Sequence, residues 1–193
     1  MNGSVFPADM KTGSDHPRRL VLASGSPRRA KILRGLGLAF DIVRSDAPEL
    51  VRPDDPEGTV RANALAKGAA VRLPGASVLS ADTIVWLDGR IYGKPRDLAE
   101  AKAFLRELAG RTHYVFTGVA LDGRAEVVRS EVTFRPLTEA EIDDYVALVN
   151  PTDRAGAYDI DDHGELVVAS YSGTYENIMG LPIEPLKEWG LLC

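Results

Sequence analysis

The dipeptide Asp-Gly occurs twice, at residues 88–89 and 122–123, each time between runs in which apolar and polar residues alternate. Asp-Gly suits a two-residue type I′ turn, which needs positive φ at both central positions, so each pair predicts an antiparallel hairpin. The first hairpin joins residues 77–87 to residues 90–92. The second joins residues 114–121 to a strand with Val128, Ser130, Val132 and Phe134 on one face and Arg129, Glu131, Thr133 and Arg135 on the other. The chain begins differently. A buried-strand run at residues 20–23 breaks at Ser24-Gly25-Ser26 and restarts as a helix at Pro27, and residues 40–43 read as a second strand. Residues 48–58 form a polar loop with three prolines, followed by a helix over 59–72 on Ala62, Leu65, Ala66 and Ala69. Asp97 with Glu100 starts a helix whose apolar face is Leu98, Ala101, Leu105 and Leu108. Thr138 with Glu141 starts another, with Ile142, Tyr145, Val146 and Val149 inward. A strand near 166–169 and a short C-terminal helix complete the pattern. Strand–helix alternation followed by hairpins predicts an α/β fold, a mixed curved sheet with flanking helices and a central cleft, rather than a doubly wound dinucleotide-binding sheet.

The length of 193 residues suits one large domain, and we expect a disordered tail over 1–17 followed by a single two-lobed domain over 18–193. A net charge of −5 argues against a basic surface for nucleic acid or acidic membranes, so a polyanionic ligand must be met by a local cluster. The tail lacks the apolar stretch of a secretory signal and no later run approaches transmembrane length. With Cys193 as the single cysteine, these features point to a cytoplasmic protein without an intrachain disulfide.

The local cluster is at hand. Ser26 is a good N-cap, Pro27 suits the first helical position, and the free N–H groups of that helix end face a glycine-containing loop flanked by Arg28, Arg29, Lys31 and Arg34. Phosphate is the natural guest. In the first hairpin Asp82 shares a strand face with Val78, Ser80, Ile84 and Trp86, where an ionised carboxylate persists only if paired, hydrogen-bonded or bound to metal. A regular register through the Asp88-Gly89 turn sets residue 83 opposite residue 94, which brings Lys94 beside Thr83 and near Asp82. Glu49 and Lys67 gain meaning from this context. His16, His113 and His163 are scattered without zinc-ligand spacing, and no nucleophile elbow is present. Any metal is therefore expected to be Mg²⁺ or Mn²⁺ on carboxylate and phosphate oxygens.

Taken in order, LASGSPRR at 22–29, Glu49, ALAKGAA at 64–70, SADTIV at 80–85, GKP at 93–95, AGRTHYVFTGVAL at 109–121, DRAGAYDI at 153–160 and NIMGLPIEPL at 177–186 resemble the Maf family of nucleotide pyrophosphatases, also called septum-formation-inhibitor-like proteins. The resemblance implies a fold akin to the inosine-triphosphate pyrophosphatases and hydrolysis of a nucleoside triphosphate to monophosphate and pyrophosphate with a divalent cation. It implies Asp82 as proton acceptor, Glu49 assisting metal or water, and Lys67 and Lys94 on phosphate oxygens. Ser24, Arg28 and Arg29 would complete the phosphate cradle, and the family is compatible with a homodimer.

The branch acting on dTTP and UTP resembles this chain at Arg28 and Thr83, but usually continues its Gly-Ala-Tyr segment with Ile-Gln-Gly. Here the chain reads Ile160-Asp161-Asp162. A carboxylate cannot donate to a base carbonyl as an amide can, so Asp161 would accept from a base N–H or lie outside the pocket and bind a metal. The expected substrate is dTTP, UTP or a modified nucleotide. Two other functions stay open on the sequence: a nucleotide-binding regulator of septum formation or cell division without turnover, and a nucleotidyltransferase.

Overall fold

The computed structural model describes residues 18–192; the expected tail over 1–17 and Cys193 lie outside the described residues. Parallel pairing opens the chain. Strand β1 (Arg19–Leu22) leads into helix α1 (Pro27–Gly35), strand β2 (Phe40–Ile42), helix α2 (Pro56–Ala70) and the twelve-residue strand β3 (Ala76–Leu87), and β1 pairs in parallel with both β2 and β3. Antiparallel pairing follows. β3 turns at Asp88-Gly89 into β4 (Arg90–Tyr92), helix α3 (Leu98–Leu108) leads to the hairpin β5 (Thr112–Leu121) and β6 (Arg124–Phe134), and helix α4 (Glu139–Val149) precedes β7 (Val168–Ser172), α5 (Tyr175–Ile178) and α6 (Glu184–Glu188). The result is one seven-stranded mixed sheet in the order β2-β1-β3-β5-β6-β7, with β4 paired to β3.

Asp88, Gly89, Asp122 and Gly123 all have positive φ, as the two Asp-Gly turns require. Thr138 and Glu141 form a full capping box at α4, and Asp97 accepts from the Glu100 N–H at the start of α3. Four local expectations need correction. Helix α2 begins at Pro56 rather than 59, because Asp55 caps it by accepting from the Gly58 N–H and Pro56 takes the first helical position. On α3 the inward face is Ala101, Phe104, Leu105 and Leu108, while Leu98 is exposed. The strand expected near 166–169 runs over Val168–Ser172, with residues 164–166 in a 3-10 turn before it. The β3–β4 ladder ends at Val85–Tyr92, so Lys94 does not stand opposite Thr83.

Strand β3 organises the molecule. On one edge it pairs with β1 only through residues 76–79 and with β4 only through residues 85–87, while β5 covers its other edge along residues 79–86. Residues 80–84 are thus bordered by strand on one side and by a gap on the other. A crevice beyond the carboxyl end of a parallel strand is where α/β sheets place ligands. On one face of β3, Leu79 and Ala81 pack with Leu22, Leu33 and Leu186, and Val85 and Leu87 pack with Phe104, Leu108 and Tyr145. Thr83 falls between these two apolar clusters. On the opposite face lies α2, seated close: a Cβ on Gly118 would come 2.3 Å from the Val60 carbonyl oxygen, and a Cβ on Gly68 would come 2.8 Å from Ser80 Oγ. Only glycines permit that approach.

Candidate active site

The gap beside residues 80–84 opens into a cleft of about 620 Å³ whose walls come from the loop before α1, the loop before α2, the middle of β3, the residues after β4, and residues 153–160. Asp82 lies in it, 5 % exposed, on the strand face turned toward α2. Two side chains one turn apart on that helix meet it. Lys67 Nζ donates to Asp82 Oδ1 at 2.6 Å and Asn63 Nδ2 donates to Oδ2 at 2.9 Å. Lys67 also pairs with Glu49 at 2.6 Å, so one ammonium bridges two carboxylates. Glu49 is half exposed, but its loop is anchored. Asn63 both accepts from the Leu50 N–H and donates to the Leu50 carbonyl, and Thr59 Oγ1 accepts from the Arg52 N–H while donating to the Asp55 carbonyl.

On the other face of β3 the partner is Arg29. Its Nε donates to the Gly180 carbonyl at 2.7 Å, Nη1 to Ser24 Oγ at 2.9 Å and Nη2 to Thr83 Oγ1 at 3.0 Å. Burial pushes its guanidinium down to about 10, with Asp82 acting in the opposite direction, so it remains a cation at neutral pH. Thr117 Oγ1 donates to the Asn177 carbonyl, so the hydroxyl proton in the Thr83–Thr117 contact comes from Thr83. Arg29, Thr83, Thr117 and Asn177 thus form a directed chain through the layer between the apolar clusters.

The loop read from the sequence as an anion site leads into α1, with one change from the expected capping. Ser26 occupies the N-cap of α1 but its side chain makes no capping bond; instead Ser24 Oγ accepts from the Ser26 N–H at 3.3 Å. Arg28, Arg29 and Ser24 line the cleft, and so do Thr83 and Lys94. Lys94 reaches it from beyond the end of β4, where the Gly93 carbonyl accepts from the Gly156 N–H. Asp161 takes the second of its two expected placements, outside the pocket. It is not among the cleft-lining residues, and its carboxylate takes Lys31 and the Tyr175 hydroxyl, which hold it below its ordinary titration range. Asp159 and Ile160 line the wall instead. Gly156 and Ala157, just before them, both have positive φ.

Three contributors escaped the sequence reading. Asn63 could have been found, because a polar residue four positions before Lys67 shares its helix face. Arg44, whose side chain lies against Gly25 of the anion loop and lines the cleft, sits in an irregular segment that carries no periodicity. Thr117 became visible only through its register opposite Thr83.

Comparison with known proteins bears on this geometry. The family model described as Maf-like protein matches residues 19–189. The chain belongs to the Maf-like family. Among curated Maf-like relatives, a protein of Bacillus cytotoxicus named dTTP/UTP pyrophosphatase is 45 % identical over 176 residues, covering 88 % of this chain and 92 % of the relative. Proteins of the same name from Bacillus anthracis and Bacillus mycoides are 44 % and 46 % identical over the same share of each chain. The family match spans both walls of the cleft, from the anion loop to the residues that follow α5.

Among the described residues no three Asp, Glu, His or Cys side chains gather as a metal site. Two of the carboxylates lining the cleft, Glu49 and Asp82, meet at one ammonium. An oxygen-only pair completed by phosphate oxygens and water is how Mg²⁺ is usually held beside a nucleotide, so these residues fit such an ion. No helix among the described residues is long and apolar enough to cross a membrane.

Proposed function

We propose that this chain hydrolyses dTTP or UTP between the α- and β-phosphates, releasing the nucleoside monophosphate and pyrophosphate. It is a nucleoside triphosphate pyrophosphatase of the Maf-like family, a reading supported by the relatives that carry the name dTTP/UTP pyrophosphatase. One observation carries the mechanism: the buried Asp82 carboxylate and the amino end of α1 open into the same cleft.

The triphosphate lies with its negative charge against the N–H groups of α1, Ser24 and Arg28, and Arg44 and Lys94 add charge along the tail. Asp82 faces the attacking water. Each of its oxygens already accepts one hydrogen bond, from Lys67 or Asn63, and keeps a lone pair for the water. The water oxygen attacks the α-phosphorus, the bond from that phosphorus to the bridging oxygen breaks, pyrophosphate leaves with the electron pair, and the water proton passes to Asp82. Glu49 and Asp82 would hold Mg²⁺ or Mn²⁺ together with phosphate oxygens, and the ion supplies charge neutralisation on the phosphates. Lys67 offsets the repulsion of the two carboxylates before substrate arrives. Arg29 braces Ser24 and Thr83 from within. The proposal includes a cytoplasmic location, and the cleft sets Arg28, Arg44 and Lys94 toward a polyanion in a chain of net charge −5.

The test is pyrophosphate release with Mg²⁺ or Mn²⁺ across a panel of standard and modified nucleoside triphosphates, with Asp82→Asn in parallel. Turnover strongest on dTTP or UTP and reduced by about 10²–10⁴ in the variant is expected. Wild-type turnover by Asp82→Asn would remove the aspartate from the mechanism. No turnover by folded wild-type protein would favour a nucleotide-binding regulator.

A further inference from the structure

The cleft arginine Arg28 already has an acid partner. Its Nη1 lies 3.4 Å from Asp159 Oδ2, at the long limit of hydrogen-bond geometry. The Asp159 side chain is 4 % exposed, and a carboxylate so placed requires compensation. It has that without Arg28: Oδ2 accepts from Arg154 Nε at 2.8 Å, and Oδ1 accepts from the Asp161 N–H at 3.0 Å. Arg154 is not among the cleft-lining residues. Its other acid partners, Asp153 and Asp162, are about half exposed and depend on it little.

We infer that Arg154 and Asp159 park Arg28 and release it to the nucleotide: Arg154 keeps Asp159 neutralised, so the triphosphate can draw Arg28 away without leaving an unpaired buried charge. The inference rests on Arg28 being a phosphate-binding residue. Arg28 exchanges a long contact to an acid already paired for a charge-assisted contact to phosphate, and Arg154 sets how readily the exchange occurs. Arg154 is a positioning residue that never touches substrate. Without it Asp159 has Arg28 as its one remaining cation, and the nucleotide must break a buried pair in which each partner depends on the other.

The test is steady-state kinetics on dTTP with Mg²⁺ for Arg154→Met, Arg154→Lys, Asp159→Asn, the Arg154→Met/Asp159→Asn double variant and Arg28→Ala, with Tm measured for each. Arg154→Met is expected to raise KM about tenfold with kcat within about twofold, and Arg154→Lys to restore most of the difference by restoring the charge. Asp159→Asn should leave KM at or below the wild-type value, and the double variant should match Asp159→Asn. A structural role for the pair predicts the opposite: KM rising in Asp159→Asn as in Arg154→Met, with additive losses of Tm. That result, or an unchanged KM in Arg154→Met, overturns the inference. If Arg154→Met does not fold, the direction of KM in Asp159→Asn decides alone. Wild-type KM in Arg28→Ala identifies the different failure, that Arg28 does not bind phosphate.

Discussion

Asn63 donates to Asp82 with the same amide nitrogen that donates to the Leu50 carbonyl, and its side-chain oxygen accepts from the Leu50 N–H. One buried side chain therefore fixes both the acid on β3 and the loop that carries Glu49. Replacing Asn63 by Ala removes three hydrogen bonds, one of them to a charged group. A stability loss of about 2–4 kcal/mol is expected from such a deletion, together with a fall in kcat larger than any rise in KM. Denaturant unfolding and kinetics on the same preparation check both.

Arg29→Lys should behave as a loss rather than a conservative change. A lysine keeps the charge but cannot satisfy the Gly180 carbonyl, Ser24 and Thr83 from one planar fork. A stability loss of about 2–3 kcal/mol and a lower kcat/KM are expected, measured by unfolding and initial rates; wild-type values for Arg29→Lys would show that the fork does not matter.

Gly118→Ala tests the seat of α2. The added methyl would press on the Val60 carbonyl, so the helix must lift and take Lys67 and Asn63 away from Asp82. A loss of about 1–3 kcal/mol is expected from the overpacking, with reduced kcat at temperatures where the variant is fully folded. Gly35→Ala is the control, since Gly35 has open space around it and no positive φ.

His113 gives a pH dependence that can be assigned to one residue. It is fully buried, and burial pushes its imidazole down to about 3, against about 6.5 in an unfolded chain. Below pH 6.5 the unfolded state binds a proton that the folded state refuses, so this group makes the fold less stable as pH falls toward 3. The slope is about 1.4 kcal/mol per pH unit. Stability curves between pH 7 and pH 5 should fall more steeply for the wild type than for His113→Gln, which lacks the titration; parallel curves would contradict the burial of a neutral imidazole.

The parts legible in the sequence were those set by local chemistry. The two Asp-Gly turns, the capping box at Thr138 and Glu141, and the alternation that buries Asp82 among apolar neighbours depend on residues close in the chain. What escaped depends on how distant backbones meet. Lys94 was expected opposite Thr83 on the assumption that the ladder continues, but the strand ends at Tyr92 and the lysine arrives by a loop held to Gly156. Asp161 could face the base or lie outside the pocket on the sequence alone, and Asp159 and Ile160 line the wall in its place. The Asn63 clamp joins a loop to a helix thirteen residues on, a contact that only the approach of α2 makes real.

Strand β3 is shared by the parallel and the antiparallel parts of the sheet, and its unflanked stretch carries Asp82 and Thr83. Mechanically, those two residues occupy a fixed point. Leu79 is paired to β1 and β5, and Val85 and Trp86 are paired to β4 and β5, so backbone pairing on both edges holds the acid's position from each side. If Asp82 is the proposed proton acceptor, its alignment on a phosphorus atom is decided by how the ligand is seated against this fixed strand.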